Sequence, residues 1–112
     1  MDVLLPNGDM TEASRLYGKY KNITEKTVRL CDNVRLRYFL LKGKTRAQGD
    51  DVYSILCVKY ERDEITDSEF VFDVTSKLSD ATYIYNCLCR NTVTPECLYE
   101  ALDNILFEVL SL

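Results

Sequence analysis

Arg35, Arg37, Lys42, Lys44 and Arg46 form a basic run, with Tyr38 and Phe39 set between the cations. Cations can meet phosphates and rings can stack on bases, so this strand and loop is the candidate nucleic-acid or partner surface. The chain as a whole is acidic, with a net charge of −4. A dedicated nucleic-acid domain is usually strongly basic. A protein partner is therefore the first reading of this surface, and a small nucleic-acid-binding regulator the second. The charge is also divided along the chain. Residues 1–50 carry ten Lys/Arg against six Asp/Glu, and residues 51–112 carry four against twelve. Such halves can face each other inside one domain or mark two binding surfaces.

Other chemistry finds less support. Gly43-Lys44-Thr45 resembles the end of a phosphate loop, but that pattern needs a glycine where Tyr38 stands. The cradle of backbone N–H groups is then missing. The acids Glu61, Asp63, Glu64, Asp67 and Glu69 have no glycine among them, as a calcium loop requires, and read as a solvated turn. Cys31, Cys57, Cys87, Cys89 and Cys97 show no C-x-x-C spacing, and there is no histidine to complete a metal set. Without histidine the commonest general base is gone, and a cysteine nucleophile lacks its usual partner. No catalytic residue, metal or cofactor is predicted. The expectation is a non-enzymatic interaction or regulatory domain. The cysteines are odd in number and read as thiols, which implies a reducing compartment, the cytoplasm. Met1 to Pro6 lacks the marks of a signal peptide, and no apolar stretch reaches the ~18–20 residues that span a bilayer. No membrane role is expected.

These residues need elements to hold them. Thr27–Cys31 and Val34–Leu41 alternate with period two around an Asp32-Asn33 turn. In the second run Val34, Leu36, Tyr38 and Leu40 point one way, and Arg35 and Arg37 the other. Asp51–Tyr60 is apolar on both faces, which predicts a central strand covered by helices. After a polar break at Glu61–Asp67, a fourth strand is predicted over Glu69–Val74. The period then turns helical. Ser79 is the expected N-cap of one helix, with Ala81, Ile84, Tyr85 and Leu88 as its buried stripe. Thr94-Pro95-Glu96 opens a second helix that runs almost to the end.

Strands first and helices last predict an α+β fold, a three- or four-stranded antiparallel meander with both helices packed on one face. Residues 1–24 are expected to form a weakly ordered segment, with a short helix over Met10–Tyr20, and residues 25–112 a single domain. The predicted core is Leu36, Tyr38, Leu40, Ile55, Cys57, Phe70, Phe72, Ile84, Leu88, Leu98, Leu102, Ile105 and Val109. The last helix carries more apolar surface than one small sheet can cover. Leu106, Phe107 and Leu110 lie on that excess, which reads first as a broad core stripe packed on the sheet and the preceding helix, and second as a self-association surface of a homodimer.

Two stretches resemble a known signature. They are Phe72-Asp73-Val74-Thr75-Ser76 and Asn91-Thr92-Val93-Thr94-Pro95-Glu96-Cys97-Leu98-Tyr99. Together they are similar to the pattern of an uncharacterised bacterial family, a domain of unknown function found in short cytoplasmic proteins of anaerobic Gram-positive bacteria. Cys97 stands where that family often has histidine. The resemblance covers residues 34–110 and implies a small α+β domain in the cytoplasm, with no activity attached.

Overall fold

Period-two alternation produces four long strands: β1 (Lys21–Cys31), β2 (Val34–Lys44), β3 (Asp51–Glu61) and β4 (Glu64–Thr75). They make one antiparallel sheet in sequence order. The computed structural model describes residues 20–44 and 49–110, the last two by backbone alone. Two helices follow, α1 (Leu78–Arg90) and α2 (Leu98–Leu110), the second entered through a 3-10 turn at Pro95–Cys97. This is the expected α+β meander with two C-terminal helices. The predicted helix over Met10–Tyr20 lies, apart from Tyr20, outside the described residues. β1 begins at Lys21, so residues 21–24 belong to the sheet and not to an N-terminal segment. Its period is hidden by register shifts beside Ile23 and Leu30, and both of those side chains are exposed. Such bulges on an edge strand discourage pairing with another chain.

The acidic run is strand as well. Glu64 to Glu69 alternates exposed and half-buried along β4. The break before it is only Arg62-Asp63, two residues with φ of 54° and 68°. Positive φ at both central positions is the pattern of a type I′ turn, normally reserved for Asn-Gly or Asp-Gly. An arginine there is costly, which is why the sequence read as a longer loop.

On one face of the sheet Leu36, Tyr38, Leu40, Tyr53, Ile55 and Cys57 pack against Ala81, Ile84, Tyr85, Leu88, Leu98 and Leu102 of the helices. The opposite face carries a second buried cluster, Phe39, Leu41, Leu56, Val58 and Tyr60, with Tyr20, Ile65 and Phe70 packed on it. β3 is central as expected, but the helices cover only one of its faces. Phe70 therefore sits in the second cluster, and Phe72 is exposed, stacked on Phe70 with centroids 4.5 Å apart. Gly43 lies beneath Tyr20, where a Cβ would come within 2.5 Å of the ring. The glycine that looked like part of a phosphate loop thus permits a close approach on the sheet.

The helix ends are set by backbone geometry. α1 starts at Leu78 with Lys77 as N-cap, two residues ahead of the expected Ser79, and no side chain caps it. Thr92 has φ of 48°. Its N–H bonds the Cys89 carbonyl at 3.2 Å, and the Val93 N–H bonds the Leu88 carbonyl at 3.1 Å. Those two bonds make a Schellman end with threonine in the left-handed place usually given to glycine. A β-branched residue there costs about 1–2 kcal/mol. Thr92→Gly should therefore raise stability by about 0.5–1 kcal/mol, after the added freedom of the unfolded chain is counted. Urea unfolding checks this; a lower midpoint for the glycine variant would mean that the Thr92 hydroxyl bond to the Asn91 carbonyl (2.8 Å) outweighs the backbone strain.

Candidate functional site

Strand alternation decides where the predicted basic run goes. Arg35 and Arg37 lie on the sheet face away from the helices. Lys42 pairs across the sheet with Tyr53, a member of the helix-side cluster, and Lys44 pairs with Asp51. The lysines thus share the other face, and both bridge Asp51, at 3.5 and 2.8 Å. The hydrogen bond from Lys44 holds the Asp51 carboxyl below its ordinary range. Arg46 lies outside the described residues. The run is divided between two faces, and its described members are each paired with a carboxylate.

Arg35 and Arg37 instead join a cleft that the sequence did not announce. Arg29 stands opposite Arg35 across the β1–β2 ladder, and Thr27 opposite Arg37. The β1–β2 and β3–β4 turns meet here, tied by the Arg62 N–H to the Asn33 carbonyl at 2.8 Å. A cavity of about 260 Å3 is lined by Arg29, Asp32, Asn33, Arg35, Arg62 and Asp63. Beside it a cavity of about 230 Å3 is lined by Thr27, Arg35, Arg37 and Tyr60. Arg35 is common to both. Four arginines from β1, β2 and the β3–β4 turn thus gather at one end of the sheet.

Each β2 arginine has an aromatic floor and an acidic partner. The Arg35 guanidinium lies 5.0 Å above the Tyr60 ring and donates to Asp63 at 2.8 Å. The Arg37 guanidinium lies 4.9 Å above Phe39, and both its Nε and one Nη donate to Glu25. The two pairs differ in burial. Asp63 is 88% exposed, whereas Glu25 is 29% exposed. An exposed pair contributes about 0–1 kcal/mol and opens readily. Tyr60 itself is buried, and its hydroxyl has no hydrogen-bond partner.

Other constellations close on themselves. A register shift in β4 frees the Asp73 N–H, which donates to the buried Ser54 hydroxyl at 2.8 Å, while the Tyr20 hydroxyl donates to the Asp73 carboxylate at 3.3 Å. Asp67 and Glu96 share a hydrogen bond, which raises the Asp67 carboxyl and lowers Glu96; Lys59 stands 3.7 Å from Glu96. This group clasps β4 to the turn before α2. Among the described residues no three His, Cys, Asp or Glu side chains converge as metal ligands, and no helix is long and apolar enough to cross a membrane. Of the predicted self-association residues, Leu106 is half-buried against the main core, and Phe107 is 74% exposed. The side chain of Leu110 lies outside the described residues, as does that of Val109 from the predicted core.

The sequence reading found Arg35 and Arg37 but missed Arg29, Arg62 and Tyr60. Arg29 was legible in part, since a hairpin turning at Asp32-Asn33 sets it opposite Arg35. Arg62 was hidden inside an acidic stretch, and Tyr60 was read only as the last residue of the strand Asp51–Tyr60.

The fold and cleft together define a small α+β domain with an arginine-lined groove on the sheet face away from the helices. The sequence model of a family of unknown function, DUF6514, matches residues 19–108, and the chain belongs to that family. No curated protein and no solved structure matches it.

All five cysteines are free, with Cys31 and Cys97 exposed and Cys57, Cys87 and Cys89 buried. Burial pushes the Cys57 thiol up to about 12, with Cys89 nearby adding to the shift. A thiol reagent at mildly alkaline pH should therefore label Cys31 and Cys97 in the native protein, and all five only after denaturation. Labelling of only three cysteines in denaturant without reductant would show a disulfide and overturn the assignment.

Proposed function

We propose that this domain is a non-enzymatic interaction module, working in the cytoplasm of a bacterium, and that its working surface is the arginine cleft. The convergence of Arg29, Arg35, Arg37 and Arg62 on two adjoining cavities carries this reading. Among the described residues, three carboxylates stand around them, Glu25, Asp32 and Asp63. The cleft therefore keeps a local positive excess in an acidic chain. Its partner is an acidic segment of another protein, recognised by guanidinium forks. Nucleic acid is the weaker alternative, because Lys42 and Lys44 leave this face and no long cationic track remains on the described strands. The cytoplasmic and anaerobic Gram-positive setting draws its support from the unpaired thiols and from the signature stretches described above.

A polarisation titration at low salt tests the cleft. A labelled glutamate-rich peptide should bind, and Arg35→Gln with Arg37→Gln should weaken it by about tenfold or more, equivalent to ~1.4 kcal/mol. Tighter binding of a single-stranded oligonucleotide, with a steep salt dependence, would shift the assignment to nucleic acid. Equal binding by the double variant would place the surface elsewhere.

A second copy is a further proposed partner, favoured by the 74% exposure of Phe107 on α2. Because Leu106 packs on the core, Leu106→Glu should damage the fold and is a poor probe of a dimer. Phe107→Glu is the informative variant. Sedimentation over about a hundredfold concentration range should show a dimer in the parent chain and a monomer in Phe107→Glu, since association follows mass action. A parent mass fixed at 13.0 kDa throughout would sink the dimer.

A further inference from the structure

We propose that the inner part of the cleft binds a phosphate monoester, held by Arg35, Arg37 and the Tyr60 hydroxyl. This deepens the interaction reading and rests on it. The decisive feature is Tyr60. Its side chain is 4% exposed, and its hydroxyl is buried without a hydrogen-bond partner. The Arg37 guanidinium lies beside the phenol oxygen, but a guanidinium only donates. The hydroxyl proton is left with nothing to accept it. Of the other residues lining this cavity, Arg35 also only donates, and Thr27 sits on β1 with β2 between it and Tyr60. Buried donors normally find acceptors, and an exception asks for a missing one. Here the missing acceptor is flanked by two guanidinium groups, so it is an anion.

Charge selects which anion. Asp63 is 88% exposed and held to Arg35 by a single bond at 2.8 Å, so an incoming ligand can displace it. Among the described residues, Arg29, Arg35, Arg37 and Arg62 then face only Glu25 and Asp32. The excess is two positive charges, which matches the near-dianion of a phosphate monoester at neutral pH. A carboxylate or a phosphodiester brings only one. The monoester also has three acceptor oxygens, for the Arg35 fork once Asp63 leaves, for the Arg37 Nη that Glu25 does not use, and for the phenol. The cavity, at about 230 Å3, opens onto its neighbour of about 260 Å3 through Arg35, which leaves room for the group that carries the phosphate.

The full chain should be titrated with inorganic phosphate, phenyl phosphate, a phosphoserine hexapeptide and benzoate, followed by backbone amide shifts and calorimetry. Phenyl phosphate should bind at least about tenfold tighter than benzoate. Tyr60→Phe keeps the ring beneath Arg35 and should weaken phenyl phosphate by about tenfold while leaving the far-UV spectrum unchanged. Asp63→Asn should tighten it. A phosphopeptide that outcompetes phenyl phosphate supports the site with a phosphorylated protein as its source; equal affinities support it with a free monoester. Unchanged affinity in Tyr60→Phe, or benzoate binding as well as phenyl phosphate, would overturn the proposal. If the glutamate-rich peptide still needs Arg35 and Arg37 in that case, the interaction reading stands and only the phosphate assignment falls.

Discussion

The Tyr38 hydroxyl donates to the Val93 carbonyl at 2.7 Å, and much of the structure depends on that bond. Tyr38 is fully buried in the middle of β2. Val93 lies between the two helices, just past the left-handed Thr92. The same carbonyl accepts a longer bond from the Cys57 thiol, at 3.6 Å, and the Tyr85 hydroxyl returns to the Tyr38 carbonyl at 3.4 Å. Strands β2 and β3, helix α1 and the turn into α2 are joined at one point. A half-buried carbonyl stripped of its donors costs up to about 1–3 kcal/mol, and the need to satisfy it holds Val93 in place. Burial pushes the Tyr38 phenol far above its ordinary range, which keeps it a donor at every physiological pH.

This lock commits both helices to one face of the sheet. The other face must then be covered differently. Val58, Leu56 and Phe39 are almost fully buried there, although no described helix lies over them. Arg35 and Arg37 supply part of the cover, set over the rings of Tyr60 and Phe39. A guanidinium can do this because its plane is weakly hydrated and stacks on rings while its edges remain free to donate. The pairing serves two ends at once. The guanidinium over each ring shields apolar surface, and its N–H groups donate to Asp63 from Arg35 and to Glu25 from Arg37. A lysine could not substitute, since a compact ammonium has no flat face to spend on the ring.

Much of this was legible from residues alone. The alternation of Val34, Leu36, Tyr38 and Leu40 against Arg35 and Arg37 placed β2 and its two faces, because a period of two leaves no other choice once one face is buried. Thr94-Pro95-Glu96 announced α2, and the stripe of Ala81, Ile84, Tyr85 and Leu88 announced α1. What stayed hidden was written in backbone angles rather than side-chain type. Arg62-Asp63 forms a two-residue turn without a glycine, and the strand after it looked like loop. Lys42 and Lys44 joined a basic run by sequence position, yet period two on a strand and a shared Asp51 drew them to the other face. The second cluster was missed for a related reason. Phe39 and Leu41 lie in the same alternating set as the arginines, and the predicted core drew on the opposite set, Leu36, Tyr38 and Leu40.

The described non-glycine residues at positive φ are Arg62, Asp63, Asp73 and Thr92, and their places are not random. Asp73 and Thr92 each fall in one of the two stretches that carry the family resemblance. Each is held by local bonds that compensate its strain: the Asp73 N–H by Ser54, and Thr92 by the Schellman pair and its own hydroxyl. Those stretches therefore specify backbone geometry, the bulge in β4 and the end of α1, and the signature needs no chemistry to explain it. Arg62 and Asp63 are different. Their strained turn is held by one bond from the Arg62 N–H to Asn33 and by the exposed Asp63–Arg35 pair, and both face the cleft. Strain of this kind persists only where the surroundings over-determine it, and it gathers at sites that bind. A relaxed Asn-Gly turn would connect β3 and β4 with less cost, but it would place neither a guanidinium nor a displaceable carboxylate beside Arg35. The strain is thus best accounted for by what the turn presents to the cleft, and not by the connection it makes.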